Sequence, residues 1–529
     1  MTKLLIAFIV VIPLLSSSQM LDGGPLNKNK SSPIPYEIKV TSEGAIVVSH
    51  RTKHELRLDV INSKCEVIRS EKFLFRDINT ETNSRPSYFF YVDNYYYYLS
   101  QHLDDENKIL EFYLYQINCN TLEMELKKEK VLTLPYINYR QTKKIHIDVS
   151  PDEKSFSFAY HKPINPEEKD PHKYLFNYVT RTYSADFELM SEFEYSFNTP
   201  GEYFKWYKKF YELSNSGNVL CSKTESDVFY FVSPLKEKIN KVEILESIQS
   251  VDSKIIGLGV VRVLNSEQNK DIYCVTYRYR GDEHIIAGFS ILEITSDFEV
   301  NILSMNEIPK KHINQMRLNT NGSQYDAIYG NKKHGFSLYK WAFLDFFEHN
   351  GKYFLVSEHS TAQYNLHISP PESAHMGGSV KISDVIVYRL DSEFNIEFSY
   401  LIPKHFLGDC ANGDCGKLNS WAKLRAYSIS KSDMGISLYY WNREANIGAY
   451  DINNTSKRYL NNVRLYSSDL ALYKTTIPIN NSLTLTNKII DKKDEPYPIS
   501  ANTGYQINKF MYFYAYKGNY YRVVKLPLN

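Results

Sequence analysis

The stretch VSPDEKSFSFAY (149–160) sets a polar turn, Ser150-Pro151-Asp152-Glu153, directly before a segment in which apolar and small polar residues alternate. The same shape returns at IKVTSEGAIVVSH (38–50), FFYVDNYYYYLSQH (89–102), FYELSNSGNVLCS (210–222) and VRVLNSEQNKDIYCVTY (261–277). It returns again at FLDFFEHNGKYFLVSEH (343–359) and AYSISKSDMGISLYY (426–440). Alternation with period two marks strands. The Asn, Asp, Ser and Gly residues between them favour turns, because they tolerate positive φ or bond to their own backbone. Asn350-Gly351 is the strongest of these hairpin signals.

A second shape follows each of these hairpins. It is a strand, a polar break and another strand, as in EFYLYQINCNTLEMEL (111–126), LFNYVTRTYSADFELM (175–190) and AGFSILEITSDFEVNIL (287–303). DVIVYRLDSEFNIEFSYL (384–401), NIGAYDINNTSKRYL (446–460), LRLDVINSKCEVI (56–68) and DVFYFVSPLKEKINKVEIL (227–245) have it too. Joined, the two shapes give four-stranded units of about 50 to 80 residues. Four-stranded repeats of roughly 40–50 residues are the signature of propeller blades. The reading is all-β: a β-propeller of four-stranded antiparallel blades, eight in number, with seven as the alternative. The eighth is assembled from NKFMYFYAYKGNYYRVVKL (508–526), with NSLTLTNKII (481–490) as an earlier strand. A propeller also suits the length, because each blade packs only on its neighbours. The 44 Tyr and 28 Phe fit pleated, half-buried surfaces.

The Ser150-Pro151-Asp152 turn resembles the repeats of Tol-associated propellers and of the propellers in prolyl-oligopeptidase-type enzymes. The resemblance implies the fold. It does not extend to peptidase activity, since no G-x-S-x-G nucleophile motif is present.

Lys3 followed by the apolar run Leu4–Leu15 and Ser16-Ser17-Ser18 has the layout of a secretory signal peptide. The run is shorter than the roughly 20 residues that span a bilayer. The chain therefore divides into a signal peptide (1–18), a linker (19–33) and one propeller domain (34–529), with no membrane span and a periplasmic or extracellular location. Lys plus Arg (62) balance Asp plus Glu (61), which argues against a nucleic-acid partner. A monomer is expected.

In such blades the turns between first and second strands lie at one end, and long insertions between second and third strands crowd the other. The insertions are HKPINPEEKDPHK (161–173), STAQYNLHISPPESAHMGGSVKISD (360–384) and DKKDEPYPISANTGY (491–505). Nine of the 14 histidines fall between second and third strands. His359, His367 and His375 share one segment, although their spacing of eight matches no standard zinc pattern.

HFLGDCANGDCGKLNSW (405–421) is expected on the same face. Cys410 and Cys415 suit a small disulfide loop in an exported chain. Asp409, Asn412 and Asp414 supply oxygens of the kind Ca²⁺ takes. His405 and Trp421 join His359, His367 and His375 as ligand-binding candidates, with Ca²⁺ or Zn²⁺ as the candidate ions. Cys221 and Cys274 read as packing thiols. Cys65 and Cys119 lie near turns of the first two units, where a bridge between adjacent blades is one option. No P-loop, dinucleotide or H-E-x-x-H motif occurs. Two readings follow: a binding or scaffold protein presenting a loop-rich face to a protein, peptide or glycan, or a metal-assisted hydrolase or lyase at the channel mouth.

Overall fold

The computed structural model describes residues 22–23, 27–28, 34–41, 43–51, 55–75, 88–104, 106–135, 145–164, 176–196, 211–222, 228–266, 270–279, 286–312, 341–367, 375–410, 427–447, 470–480, 483–491, 499, 504–517 and 520–528. Their strands form eight antiparallel sheets, seven of which are meanders of four consecutive strands. The chain is an eight-bladed β-propeller. The first strands are Ile34–Val40, Tyr88–Val92, His146–Val149, Tyr211–Leu213, Ile255–Val263, Trp341–His349, Ser428–Ser432 and Tyr505–Ile507, in blades 1 to 8. First strands of neighbouring blades touch around the axis in blades 2 to 6 and in blades 7, 8 and 1. Fourth strands such as Val67–Leu74 and Glu123–Pro135 lie outermost and are largely exposed.

The eighth blade closes the ring. Its strands Tyr505–Ile507, Phe510–Lys517 and Tyr520–Pro527 are joined from the other end of the chain by Asp22–Gly23 and Asn27–Lys28. Asp22 pairs with Lys525 and Asn27 with Tyr521. Residues of the segment 19–33, a linker by sequence, thus supply the last outer edge. Two assignments are corrected by this pairing. Segment 481–490 is not in blade 8: Leu485–Asp491 is the outer strand of blade 7, beside Leu470–Pro478. The third and fourth strands of blade 7 therefore lie beyond 446–460, after an insertion.

Each seam between blades holds its own apolar cluster, fed by alternate side chains of the strands on either side. Tyr96 and Tyr98 face the seam with blade 1, whereas Tyr97 and Leu99 face the seam with blade 3. Both faces of the second strand are apolar, so the run of four tyrosines at 95–98 needs no ligand to explain it. Cys65 lies in the seam between blades 8 and 1, and Cys119 in that between 1 and 2. Different seams hold them, so they do not bridge blades; with Cys221 and Cys274 they are buried thiols.

The turns between third and fourth strands repeat one device. In 62–66, 184–188, 295–299 and 391–395 the first side chain accepts the fifth residue's amide. The fourth residue is left-handed: Cys65, Phe187, Phe298 and Phe394, with φ of 62° to 70°. That conformation costs an L-residue about 1–2 kcal/mol. Burying a phenylalanine returns about 1.5–3 kcal/mol, and each of these residues packs into the seam with the preceding blade. Phe394 also accepts Ser304 Oγ (2.8 Å) and Asn306 Nδ2 (2.9 Å) from blade 5. At Asn350-Gly351 both residues have positive φ (49° and 71°), as the hairpin signal predicts.

The closing seam carries a buried charge network. Asp59, fully buried, accepts Arg57 Nε (2.8 Å), Ser70 Oγ (2.6 Å) and the Tyr521 hydroxyl of blade 8. His50 Nε2 sits 2.9 Å from Asp59 Oδ2, with its ring edge-on to Tyr521. Burial alone would raise the Asp59 pKa, but contacts with His50, Ser70 and Tyr521 outweigh it and hold the pKa well below the usual range. Burial lowers the His50 pKa, against the pull of Asp59.

Removing Asp59 takes the carboxylate from Arg57 and the acceptor from the Tyr521 hydroxyl. Asp59→Ala is expected to cost about 3–5 kcal/mol in urea unfolding near neutral pH. Because the folded pKa is depressed, this contribution is present above the unfolded value of about 3.9 and disappears as pH falls below it. A cost under ~1 kcal/mol at pH 7 would refute a stabilising role for this network.

Candidate functional site

Chain direction fixes two ends of the ring. Each first strand runs toward the short turn that precedes its second strand, so these turns share one end and the longer connections lie at the other. At the long-connection end the prominent element belongs to blade 6. Lys352–His367 and His375–Leu390 are each 16 residues long, and Ile396–Cys410 is 15. Residues 360–384, expected as a loop, are instead mostly a continuation of the blade's two middle strands. Among the described residues the first strand begins at the Trp341–His359 pair, and the other three continue past it.

This extension gathers most of the sequence-predicted residues. Trp341, His359, Ser383 and His405 occupy one row across four strands. His367 stands opposite His375 at the hairpin's far end, and Asp409 opposite Ser379. His405, Asp409 and Cys410 belong to the fourth strand rather than to a connection. Asn412, Asp414, Cys415 and Trp421 lie outside the described residues. Among the described residues no three His, Cys, Asp or Glu side chains are grouped to hold a metal ion. No described helix is long and apolar enough to cross a membrane.

The short-turn end holds what the sequence reading did not select. A cavity of about 750 Å³ lies on the axis, lined by the first strands of blades 3 to 8 and by turn residues Pro151, Asn265 and Asn508. Asp148, Glu212, Arg262, Asp345 and Lys431, one from each of five successive blades, supply its charges. The signal was present: HIDV, YEL, VRV, FLDFF and ISK each set one charge inside an otherwise strand-like run. In blade 8 the corresponding polar residue is Gln506, whose amide accepts Lys431 N and donates to Lys431 O (2.7 Å).

Arg262 Nη1 meets Glu212 Oε1 at 2.8 Å, Asp148 Oδ2 accepts the Leu213 amide at 2.6 Å, and the Tyr427 hydroxyl donates to Asp345 at 2.9 Å. Burial, reinforced by the charge of Glu212, pushes Asp148 up to about 7. Burial also raises Glu212, against Arg262, and raises Asp345, against Tyr427 and Arg262. Lys431 is lowered by burial, with Asp345 opposing; its ammonium lies 4.2 Å from the Phe347 ring centroid.

The turn of blade 3, Ser150–Glu153, leans across the mouth of this cavity. Glu153, at φ 57°, pairs with Lys39 of blade 1 at 2.5 Å. Pro151 O accepts Asn265 Nδ2 of blade 5 at 2.9 Å, and Asp152 N donates to Asn215 of blade 4 at 3.1 Å. One turn is thereby tied to three other blades. Burial works against the charge on Lys39, but Glu37 and Glu153 outweigh it and raise its pKa.

No protein-family model matches the chain, and no curated protein matches it. Solved structures with similar stretches include Galerina marginata prolyl oligopeptidase B, at 7% identity over 86% of this chain and 56% of that one, TM-score 0.33. The propeller domain of the Pyrococcus furiosus Trilobed protease is 9% identical over 72% and 96%, TM-score 0.27. A Bacteroides caccae protein of unknown function is 11% identical over 66% and 94%, TM-score 0.24. The blade count given above rests on this chain's own strand pairing.

A carboxyl whose folded pKa exceeds the unfolded value of about 3.9 binds its proton preferentially in the folded chain, so it weakens folding as pH rises from ~4 to about 7. Asp148→Asn keeps an acceptor for Leu213 and removes that ionisation. Its urea midpoint is expected to exceed that of the native chain at pH 8, with the gain shrinking at pH 5. A difference unchanged between the two pH values would mean that Asp148 ionises without penalty.

Proposed function

We propose that this chain is an exported binding or scaffold protein whose long-connection end receives a protein, peptide or glycan. The observation that carries this reading is the three-stranded extension of blade 6. The eight residues from Ser360 to His367 add about 25 Å of strand, and among the described residues they have no first-strand neighbour. A strand edge of that kind can pair with an added peptide, while a rigid platform holds side chains for specificity. The signal-like N-terminus supports export.

Replacing residues 361–381 with Asn-Gly would shorten the extension while keeping the Ser360–Ile382 pair. Binding on peptide and glycan arrays is expected for the native chain and absent from the shortened one, with thermal unfolding of the ring little changed. Identical array profiles would sink the proposal.

The alternative, a metal-assisted hydrolase or lyase, is favoured by one observation: His367 and His375 stand in register. Elemental analysis of the purified chain discriminates between the readings. The binding reading expects no stoichiometric metal. A metal present in the native chain and lost in a His367→Ala, His375→Ala variant would favour the enzyme.

A further inference from the structure

The axial cavity lies at the opposite end from the blade 6 extension and stands independently of the reading above. Its wall is unbalanced. Asp148, Glu212 and Asp345 face two cations, and Arg262 is already engaged by Glu212 at 2.8 Å. The Lys431 ammonium rests on the Phe347 ring. The three carboxylates come from blades 3, 4 and 6, so the ring holds them apart in fixed positions.

We propose that this cavity binds a small cationic ligand, an alkylammonium or guanidinium compound, with its charge received among Asp148, Glu212 and Asp345. Three observations converge on that class. The volume, about 750 Å³, falls within the roughly 300–1,000 Å³ of small-molecule sites. The wall carries one more carboxylate than cation when all are ionised, so a cation completes it and an anion would add to the excess.

The third observation is a group of this class already held at the mouth. Lys39 Nζ meets Glu153 and lies 4.9 Å from the Tyr91 centroid and 5.8 Å from that of Tyr505, itself a wall residue. A carboxylate combined with aromatic faces is the environment that retains an ammonium. The wall also lacks a metal-binding grouping among the described residues, so an organic cation fits it better than a metal ion.

The test uses four-carbon probes that differ in charge: putrescine, 1,4-butanediol and succinate, with agmatine as the guanidinium probe. Isothermal titration on the native chain at pH 7.5 and low salt is expected to give saturable binding of putrescine or agmatine with Kd below about 1 mM. Butanediol and succinate are expected not to saturate. Asp345→Asn is expected to weaken the cation at least about tenfold, with folding verified by circular dichroism. If that variant does not fold, the charge series on the native chain decides alone. The chain shortened at 361–381 should bind putrescine like the native one, so failure of the blade 6 reading leaves this site intact. Succinate binding as tightly as putrescine, no saturation by either cation up to 10 mM, or loss of binding in the shortened chain would each overturn the proposal.

Discussion

Seam packing is the constraint on which the rest of the structure depends. Every blade is a sheet with two apolar faces, and neither face can be left to water. Val47 enters the seam with blade 2, whereas Ile46 and Val48 enter the seam with blade 8. Two faces needing cover, repeated in each unit, have a closed ring as their solution. The ring is then completed by pairing the two ends of the chain, because an open edge on blade 8 would leave a strand unpaired.

The turns serve the same requirement. At the third-to-fourth corner, a left-handed Phe or Cys is driven against its own backbone preference so that its side chain reaches the neighbouring seam. The energetic comparison favours burial, and Phe394 adds polar bonds that tie blade 5 to blade 6. In blade 1 the corner carries Cys65, which packs against blade 8, and Lys525 of blade 8 reaches back to Ser63 O at 2.8 Å. Corner and closure act on one seam there, together with the Asp59 network.

The axis follows a different rule. The first strands of blades 3 to 8 each set a polar or charged group at the axial cavity. Those charges are arranged in partial pairs rather than a neutral set, and burial raises the pKa values of the three carboxyls. The blade 3 turn then ties the mouth together through Lys39, Asn215 and Asn265. A turn that looks like one member of a repeat thus links its own blade to three others.

The repeat, the eight-bladed propeller and the hairpin at Asn350-Gly351 were legible in the sequence, because alternation and turn chemistry are local properties. The corner residues were legible too, in TYSADFE, ITSDFE and LDSEF, though their common role appears only when each is seen in its seam. Blade 7 was misread because its second and third strands are separated by an insertion, and local pattern cannot say which strand pairs with which. The His-rich segment looked like a loop, since length alone does not distinguish a loop from a long hairpin. What only tertiary structure decided was which isolated charges meet. Asp148, Glu212, Arg262, Asp345 and Lys431 lie some 280 residues apart at the extremes of the series, and only closure of the ring brings them to one cavity.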